Sequence, residues 1–197
     1  MPTIDIDFDW NHAFEYELGT SKKGPVIRQK GARLERIWPL RIHETLYLDF
    51  ARLDGSPQVC LDFCRRWGFL HNRLAGKGAE EEIDLWRHEI ALMRGWIQAL
   101  GVDGAPAGFL SRQKVASVEL LFETHPLGRR AILLRPITLM DAMLLQLAQA
   151  QAGGGSIATC QQCGKWFEVG AEGKRKVAKF CSDQCRNRFN YERRTQK

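Results

Sequence analysis

Residues 160–197 read CQQCGKWFEVGAEGKRKVAKFCSDQCRNRFNYERRTQK, and their cysteine spacing decides how the end of the chain folds. Four of the six cysteines stand here as two pairs, Cys160/Cys163 and Cys181/Cys185. A C-x-x-C pair lets one tight turn aim two sulfurs at the same ion. Gly164, directly after the first pair, allows the backbone to turn with its N–H groups facing those sulfurs. Ser182 suits the N-cap of a helix opening at Asp183, which puts Cys185 in the first turn, where free N–H groups and the helix dipole favour a thiolate. Four thiolates in a tetrahedron suit Zn²⁺, which imposes no geometry of its own and takes sulfur readily. A module this small has too little core to fold alone, so metal binding and folding are expected to be coupled.

Two other uses of the cysteines fit less well. A disulfide framework needs an oxidising compartment, and the opening Met1-Pro2-Thr3-Ile4-Asp5 has no charged segment followed by an apolar run. A cytoplasmic location is therefore expected. A thioredoxin-like C-x-x-C uses one reactive pair in a βαβ setting, whereas here two pairs come together.

Cys160-x-x-Cys163-Gly164-Lys165-Trp166-Phe167, followed by a basic run and Phe180-Cys181-Ser182-Asp183-Gln184-Cys185-Arg186-Asn187-Arg188, resembles the CGNR-type zinc finger of bacterial transcriptional regulators. It is also similar to the wider group of treble-clef fingers with a Phe-Cys-Ser turn. The resemblance implies a structural zinc on Cys160, Cys163, Cys181 and Cys185, a knuckle hairpin followed by a helix, and DNA binding. Arg186 stands where the namesake motif has glycine. Upstream, Leu48-Asp49-Phe50 and the helix leading into the finger resemble the ABATE domain of those proteins. That resemblance implies a body that senses a small-molecule ligand.

Charge points the same way. The chain carries 29 Lys/Arg and 23 Asp/Glu, a net charge of +6. Ten of the basic residues and four of the acidic ones lie from Cys160 onward, so the whole excess sits on the finger. A basic module on a neutral body is the footprint of a polyanion binder. On a helix from Asp183, Arg186, Asn190, Arg193 and Arg194 form one outward stripe, while Phe189 shares the inward face of Cys185. Lys174, Arg175, Lys176 and Lys179 lie between the pairs, placed to meet phosphates. Trp166, Phe167 and Phe180 are expected to pack around the metal hairpin. Arg and Asn can read base edges in a major groove, and both also contact phosphate, which carries no sequence information. Double-stranded DNA is the expected partner. The same surface suits RNA, with Tyr191 or Trp166 stacking on bases, or a protein partner for which the charge is incidental.

The rest of the chain reads as one α+β body over residues 1–152, mostly helical with a small antiparallel sheet. A Gly-rich linker at 153–159 leads to the four-cysteine finger at 160–197. The alternation Ile4/Ile6/Phe8 predicts a strand, and residues 33–38 another, with a loop from Gly19 to Gly24 carrying Lys22 and Lys23. His43–Leu53 favours helix. Ser56-Pro57 signals a helix start, and Cys60, Phe63, Cys64 and Trp67 mark its buried face up to Gly68. After a loop at Gly76–Gly78, residues 80–100 predict a long helix with Ile83, Trp86, Ile90, Met93, Ile97 and Leu100 inward. Beyond a Gly/Pro/Ala loop at 101–108, Lys114–Glu123 and Arg129–Arg135 predict strands about a turn at His125–Gly128. Thr138 then caps a helix through Ala150, with Asp141 in a capping-box position. The body is expected to dimerise or to sense a ligand. No stretch is apolar for long enough to span a membrane.

Nothing in the body argues for an enzyme. Cys60 and Cys64 share a helical face and could take a metal with His43 or His71, but a buried apolar pair is the expected reading. His88-Glu89 is followed by Ile90-Ala91-Leu92, so the H-E-x-x-H signature is absent. Asp5, Asp7 and Asp9 lack the glycine and distal glutamate of a calcium loop. Glu80, Glu81 and Glu82 read as a solvated helix start.

Overall fold

The computed structural model describes residues 4–6, 8–72, 78–101, 116–124, 130–152, 156–170 and 178–195. Strands β1 (Ile4–Ile6), β2 (Trp10–Ala13), β3 (Tyr16–Ser21), β4 (Gly24–Gln29) and β5 (Leu34–Ile37) come first. The loop expected from Gly19 to Gly24 contracts to a two-residue turn, Lys22-Lys23. Pairing between β3 and β4 runs out to Ser21↔Gly24, and the Lys23 N–H donates to Ser21 Oγ at 3.1 Å. β2 pairs with β5 in antiparallel register.

Helices α1 (Pro39–Ile42), α2 (Leu46–Ala51) and α3 (Pro57–Trp67) follow. Pro57 opens α3 as expected. Ser56 makes no side-chain cap, and its carbonyl instead accepts the Cys60 N–H at 3.0 Å. Cys60, Phe63, Cys64 and Trp67 are buried. The helix stops at Gly68, whose φ is 89°; a Cβ there would meet Trp10 Nε1 at 2.9 Å, so only glycine fits both the backbone and the space.

The long helix starts three residues later than its sequence suggests. Glu80–Glu82 form β6, paired with β4, and α4 runs from Ile83 to Gly101. Strand alternation turns Glu81 inward, where it is 5% exposed. Its carboxylate accepts the backbone N–H groups of Leu70, His71 and Asn72 at 2.9, 2.8 and 3.1 Å. Glu81 is thus the buried acceptor for the backbone that follows α3, which corrects the reading of this run as a solvated helix start. Ile83, Trp86, Ile90, Met93 and Ile97 of α4 are buried as expected. Phe50, Phe63 and Trp86 form the aromatic centre of the core, with ring centroids 5.3 to 6.2 Å apart.

β7 (Val118–Thr124) and β8 (Arg130–Pro136) form a hairpin, and β1 adds to β8 in parallel. Among the described residues the body therefore carries one parallel pairing beside its antiparallel ones. α5 (Leu139–Ala152) begins with a full capping box. The Asp141 N–H donates to Thr138 Oγ1 at 3.0 Å, while Asp141 Oδ2 accepts the Thr138 N–H and hydroxyl at 3.1 and 2.7 Å. Met140, Met143, Leu144 and Leu147 are buried along it.

β9 (Ser156–Thr159) and β10 (Trp166–Val169) form an antiparallel hairpin, and α6 (Asp183–Thr195) closes the described chain. Ser156–Thr159, in the span expected to be linker, are thus a strand. The architecture is α+β, with small sheets around a helical body and a C-terminal cysteine-rich hairpin and helix. Asp7, Gly76 and Lys77, the loop at 102–108, Lys114, the turn at 125–128, the glycines at 153–155 and Lys174, Arg175 and Lys176 lie outside the described residues. Among the described residues no helix is long and apolar enough to cross a membrane.

Candidate metal centre

The hairpin places the first two sulfurs. The Cys160 N–H donates to the Lys165 carbonyl at 2.9 Å and the Gly164 N–H to the Cys160 carbonyl at 2.9 Å, closing the knuckle. Gly164, at φ 69°, supplies the left-handed residue that turns the chain back into β10. The Gln161 N–H donates to the Lys179 carbonyl at 3.0 Å, which brings the segment before Cys181 alongside the knuckle.

The helix places the other two. Ser182 caps α6, its Oγ accepting the Cys185 N–H at 3.2 Å. Cys181 just precedes the helix and Cys185 lies in its first turn. Behind the sulfurs, Phe167 and Val169 are buried, and Phe180 meets Phe189 at a centroid distance of 5.2 Å. Gln162 Nε2 donates to Glu192 Oε2 at 3.0 Å, tying the last turn of the helix to the knuckle, and Arg188 Nε holds the same carboxylate through Oε1 at 2.8 Å.

The Sγ atoms of Cys160, Cys163, Cys181 and Cys185 all lie within 4.8 Å of one another. Cys163 and Cys181 are 3.7 Å apart, and Cys181 and Cys185 3.5 Å. A tetrahedron with zinc–sulfur bonds of about 2.3 Å has sulfur–sulfur edges of about 3.8 Å, so these separations suit a shared ion. A disulfide needs about 2.05 Å, and all six cysteines are unpaired.

Burial pushes the Cys160 thiol up, but backbone N–H groups of Cys181, Cys163 and Gln162 outweigh it and bring Cys160 down to about 6. Cys181 is pushed up to about 12, by burial and then by hydrogen bonding to the thiols of Cys185, Cys163 and Cys160. The knuckle N–H groups thus favour a thiolate at Cys160, whereas burial and the neighbouring thiols disfavour one at Cys181. The site can hold a metal through four thiolates, a donor set that suits zinc.

Cys60 and Cys64 form no second centre. Burial pushes the Cys60 thiol up to about 11 and holds Cys64 well above the usual thiol range. His43 Nε2 bonds Asp49 at 2.9 Å and His71 Nε2 bonds Glu89 at 3.1 Å, so neither imidazole serves the pair. Among the described residues, the finger cysteines are the one such group placed to share an ion.

Of the expected nucleic-acid residues, Lys179, Arg186, Asn190, Arg193 and Arg194 are exposed. Arg186 pairs with Asp183 at 3.2 Å. Trp166 departs from expectation: it packs against the main core of the body. Three further links join this hairpin to the body. Ile157 is buried in the main core, Tyr47 donates its hydroxyl to Glu168 Oε1 at 2.5 Å, and Arg52 donates to the Trp166 carbonyl. No local pattern announces them, since Tyr47 and Glu168 are 121 residues apart.

No protein-family model matches the chain, and the comparisons with curated proteins and with solved structures likewise give no match.

Proposed function

We propose that this is a zinc-stapled DNA-binding protein, acting as a transcriptional regulator, in which the metal orders α6 for contact with the duplex. The observation that carries the reading is the division of α6 into two faces. Cys185 packs on the buried cluster of the hairpin and Phe189 on Phe180, while Arg186, Asn190, Arg193 and Arg194 stand exposed. Arg193 and Arg194 have no ion-pair partner among the described residues, and the pair between Arg186 and Asp183 is exposed and easily exchanged for phosphate. The resemblance of residues 160–188 to CGNR-type fingers supports the same reading. The metal is structural, and the chain acts by binding rather than by catalysis.

Tyr191, 69% exposed on the same helix, favours a second reading in which bases of single-stranded RNA stack on it. Fluorescence anisotropy of the zinc-loaded protein with random duplex DNA and with random single-stranded RNA, across a salt series and after chelation, separates the two. Tight, salt-sensitive, zinc-dependent binding to duplex DNA is the expected result. Preference for RNA moves the assignment to the second reading. Binding to neither polymer at low salt overturns both and leaves a protein-docking finger.

A further inference from the structure

The half-buried residues of α6 are Cys185, Phe189 and Glu192. Cys185 packs on the hairpin cluster, Phe189 on Phe180, and Glu192 accepts from Gln162 of the knuckle. At about 100° per residue, the opposite direction belongs to Asn187, Asn190, Tyr191 and Arg194, spaced i, i+3, i+4 and i+7. Arg186 and Arg193 lie to one side of that stripe and Gln184 to the other. Asp183 opens the same face one turn before Asn187, with its charge matched by Arg186 at 3.2 Å.

Internal bonds engage part of the helix surface. Arg188 holds Glu192, and the Thr195 hydroxyl bonds the carbonyls of Tyr191 and Glu192. The side chains of Asn187, Asn190, Tyr191, Arg193 and Arg194 have no partner among the described residues. Arg193 and Arg194 make the end of this face complementary to a polyanion. An asparagine amide offers a donor and an acceptor side by side, and adenine presents its N7 acceptor and N6 donor together in the major groove. Phosphate only accepts, so it would leave the amide oxygen unused. Asn187 and Asn190 stand about 4.5 Å apart along the axis, close to the step of about 3.4 Å between base pairs. The Tyr191 ring, 69% exposed beside them, offers an apolar surface for a thymine methyl.

We infer that Asn187 and Asn190 read adenines at two consecutive A·T pairs in the major groove, and so determine the sequence that α6 prefers. The inference rests on the duplex-binding reading above. Arg193 and Arg194, about one turn beyond Asn190, take phosphates and fix position rather than sequence. A G·C pair fits the amides less well, because guanine offers two acceptors, N7 and O6, and leaves each amide oxygen unpaired. Double-stranded RNA is a poor substitute, since the major groove of an A-form helix is too deep and narrow for side chains to read.

The test is fluorescence anisotropy of the zinc-loaded full chain on three duplexes of equal length. One is a mixed A·T sequence, one the same sequence with 7-deazaadenine for adenine, and one a mixed G·C sequence. 7-Deazaadenine keeps the base pairing and the thymine methyls but lacks the N7 acceptor. The A·T duplex should bind at least about tenfold more tightly than the G·C duplex, and 7-deazaadenine should cost about tenfold. Asn187→Ala and Asn190→Ala should each weaken the A·T duplex about tenfold and leave the G·C duplex unchanged. The salt slope should stay the same, because a neutral amide displaces no counterion. Alanine is the better helix former, so neither substitution threatens α6, and zinc content with circular dichroism verifies this. Equal binding of A·T and G·C duplexes, or an A·T preference that survives 7-deazaadenine or both substitutions, would overturn the assignment and leave duplex binding standing. Failure to bind any duplex would overturn the duplex-binding reading and the assignment with it.

Discussion

Removing the metal should unfold α6 and leave the hairpin beneath it in place. No residue of α6 is buried, although the helix runs 13 residues from Asp183 to Thr195. Isolated helices shorter than about 12–15 residues are marginal in water. What can hold this one is the cap on Ser182, the ring contact of Phe180 with Phe189, the Gln162–Glu192 bond and an ion bound through the cluster to which Cys181 and Cys185 belong. The first three contribute about 1 kcal/mol each. Fixing 13 backbones costs about 1–2 kcal/mol each before helical hydrogen bonds are counted. A structural zinc site supplies about 10–16 kcal/mol, or roughly 2.5–4 kcal/mol for each of four thiolates if shared evenly. The metal is therefore the deciding term.

The hairpin differs because the body holds it. Ile157 is buried in the main core, Trp166 packs on that core, and Tyr47 and Arg52 bond to β10. Chelation should therefore remove the helical signal of α6, about a fifth of the residues in described helices. The melting of the body should stay cooperative. Circular dichroism at 222 nm reads the loss, and amide hydrogen exchange locates it: fast exchange at 183–195, retained protection at Ile157 and Phe167. Cys181→Ser, which removes the sulfur in contact with both Cys163 and Cys185, should weaken zinc by about two to three orders of magnitude. Retained protection of α6 without metal would refute the reasoning, and so would exchange of hairpin and body together with it.

Three further outcomes follow from other parts of the structure. Replacing Arg193 and Arg194 with alanine should reduce the slope of log affinity against log salt by about 0.9 for each phosphate no longer neutralised, measured by anisotropy on duplex DNA; an unchanged slope removes them from the interface. Glu81→Gln should destabilise the body by about 2–4 kcal/mol in urea melts, because the amide NH₂ must face one of the three N–H groups that Glu81 now accepts; a loss below about 1 kcal/mol would show that these bonds are not needed. The His71 pKa is raised, chiefly by its hydrogen bond to Glu89. That stabilisation is complete below the unfolded histidine value near 6.5 and fades as pH rises through the higher folded value, so stability should fall across that window in the wild type and stay level there in Glu89→Gln.

What could be read from the chain without its fold was whatever a short stretch decides for itself. The four-cysteine cluster was legible because a knuckle turn and a capped first turn of helix are local devices, and their spacing is written directly in residues 160–185. The face of α3 and the box at Thr138 and Asp141 were legible for the same reason. Glu80–Glu82 misled because three consecutive acids ahead of a helix favour the dipole wherever the chain is considered alone. Pairing with β4, more than fifty residues earlier, turns the run into a strand and sends Glu81 inward. Trp166 misled in the same way: within the finger it has only the knuckle to cover, whereas in the fold the body core lies beside it. The glycines at 153–155 suggest independence between body and finger, yet Ile157, two residues beyond them, and Trp166 and Glu168 on the next strand tie the hairpin to the body. The division that matters for function therefore falls inside the metal module. One half is a hairpin anchored in the body core, and the other is a basic helix with no buried residue, so removal of the metal should disorder the exposed arginines while leaving the body folded.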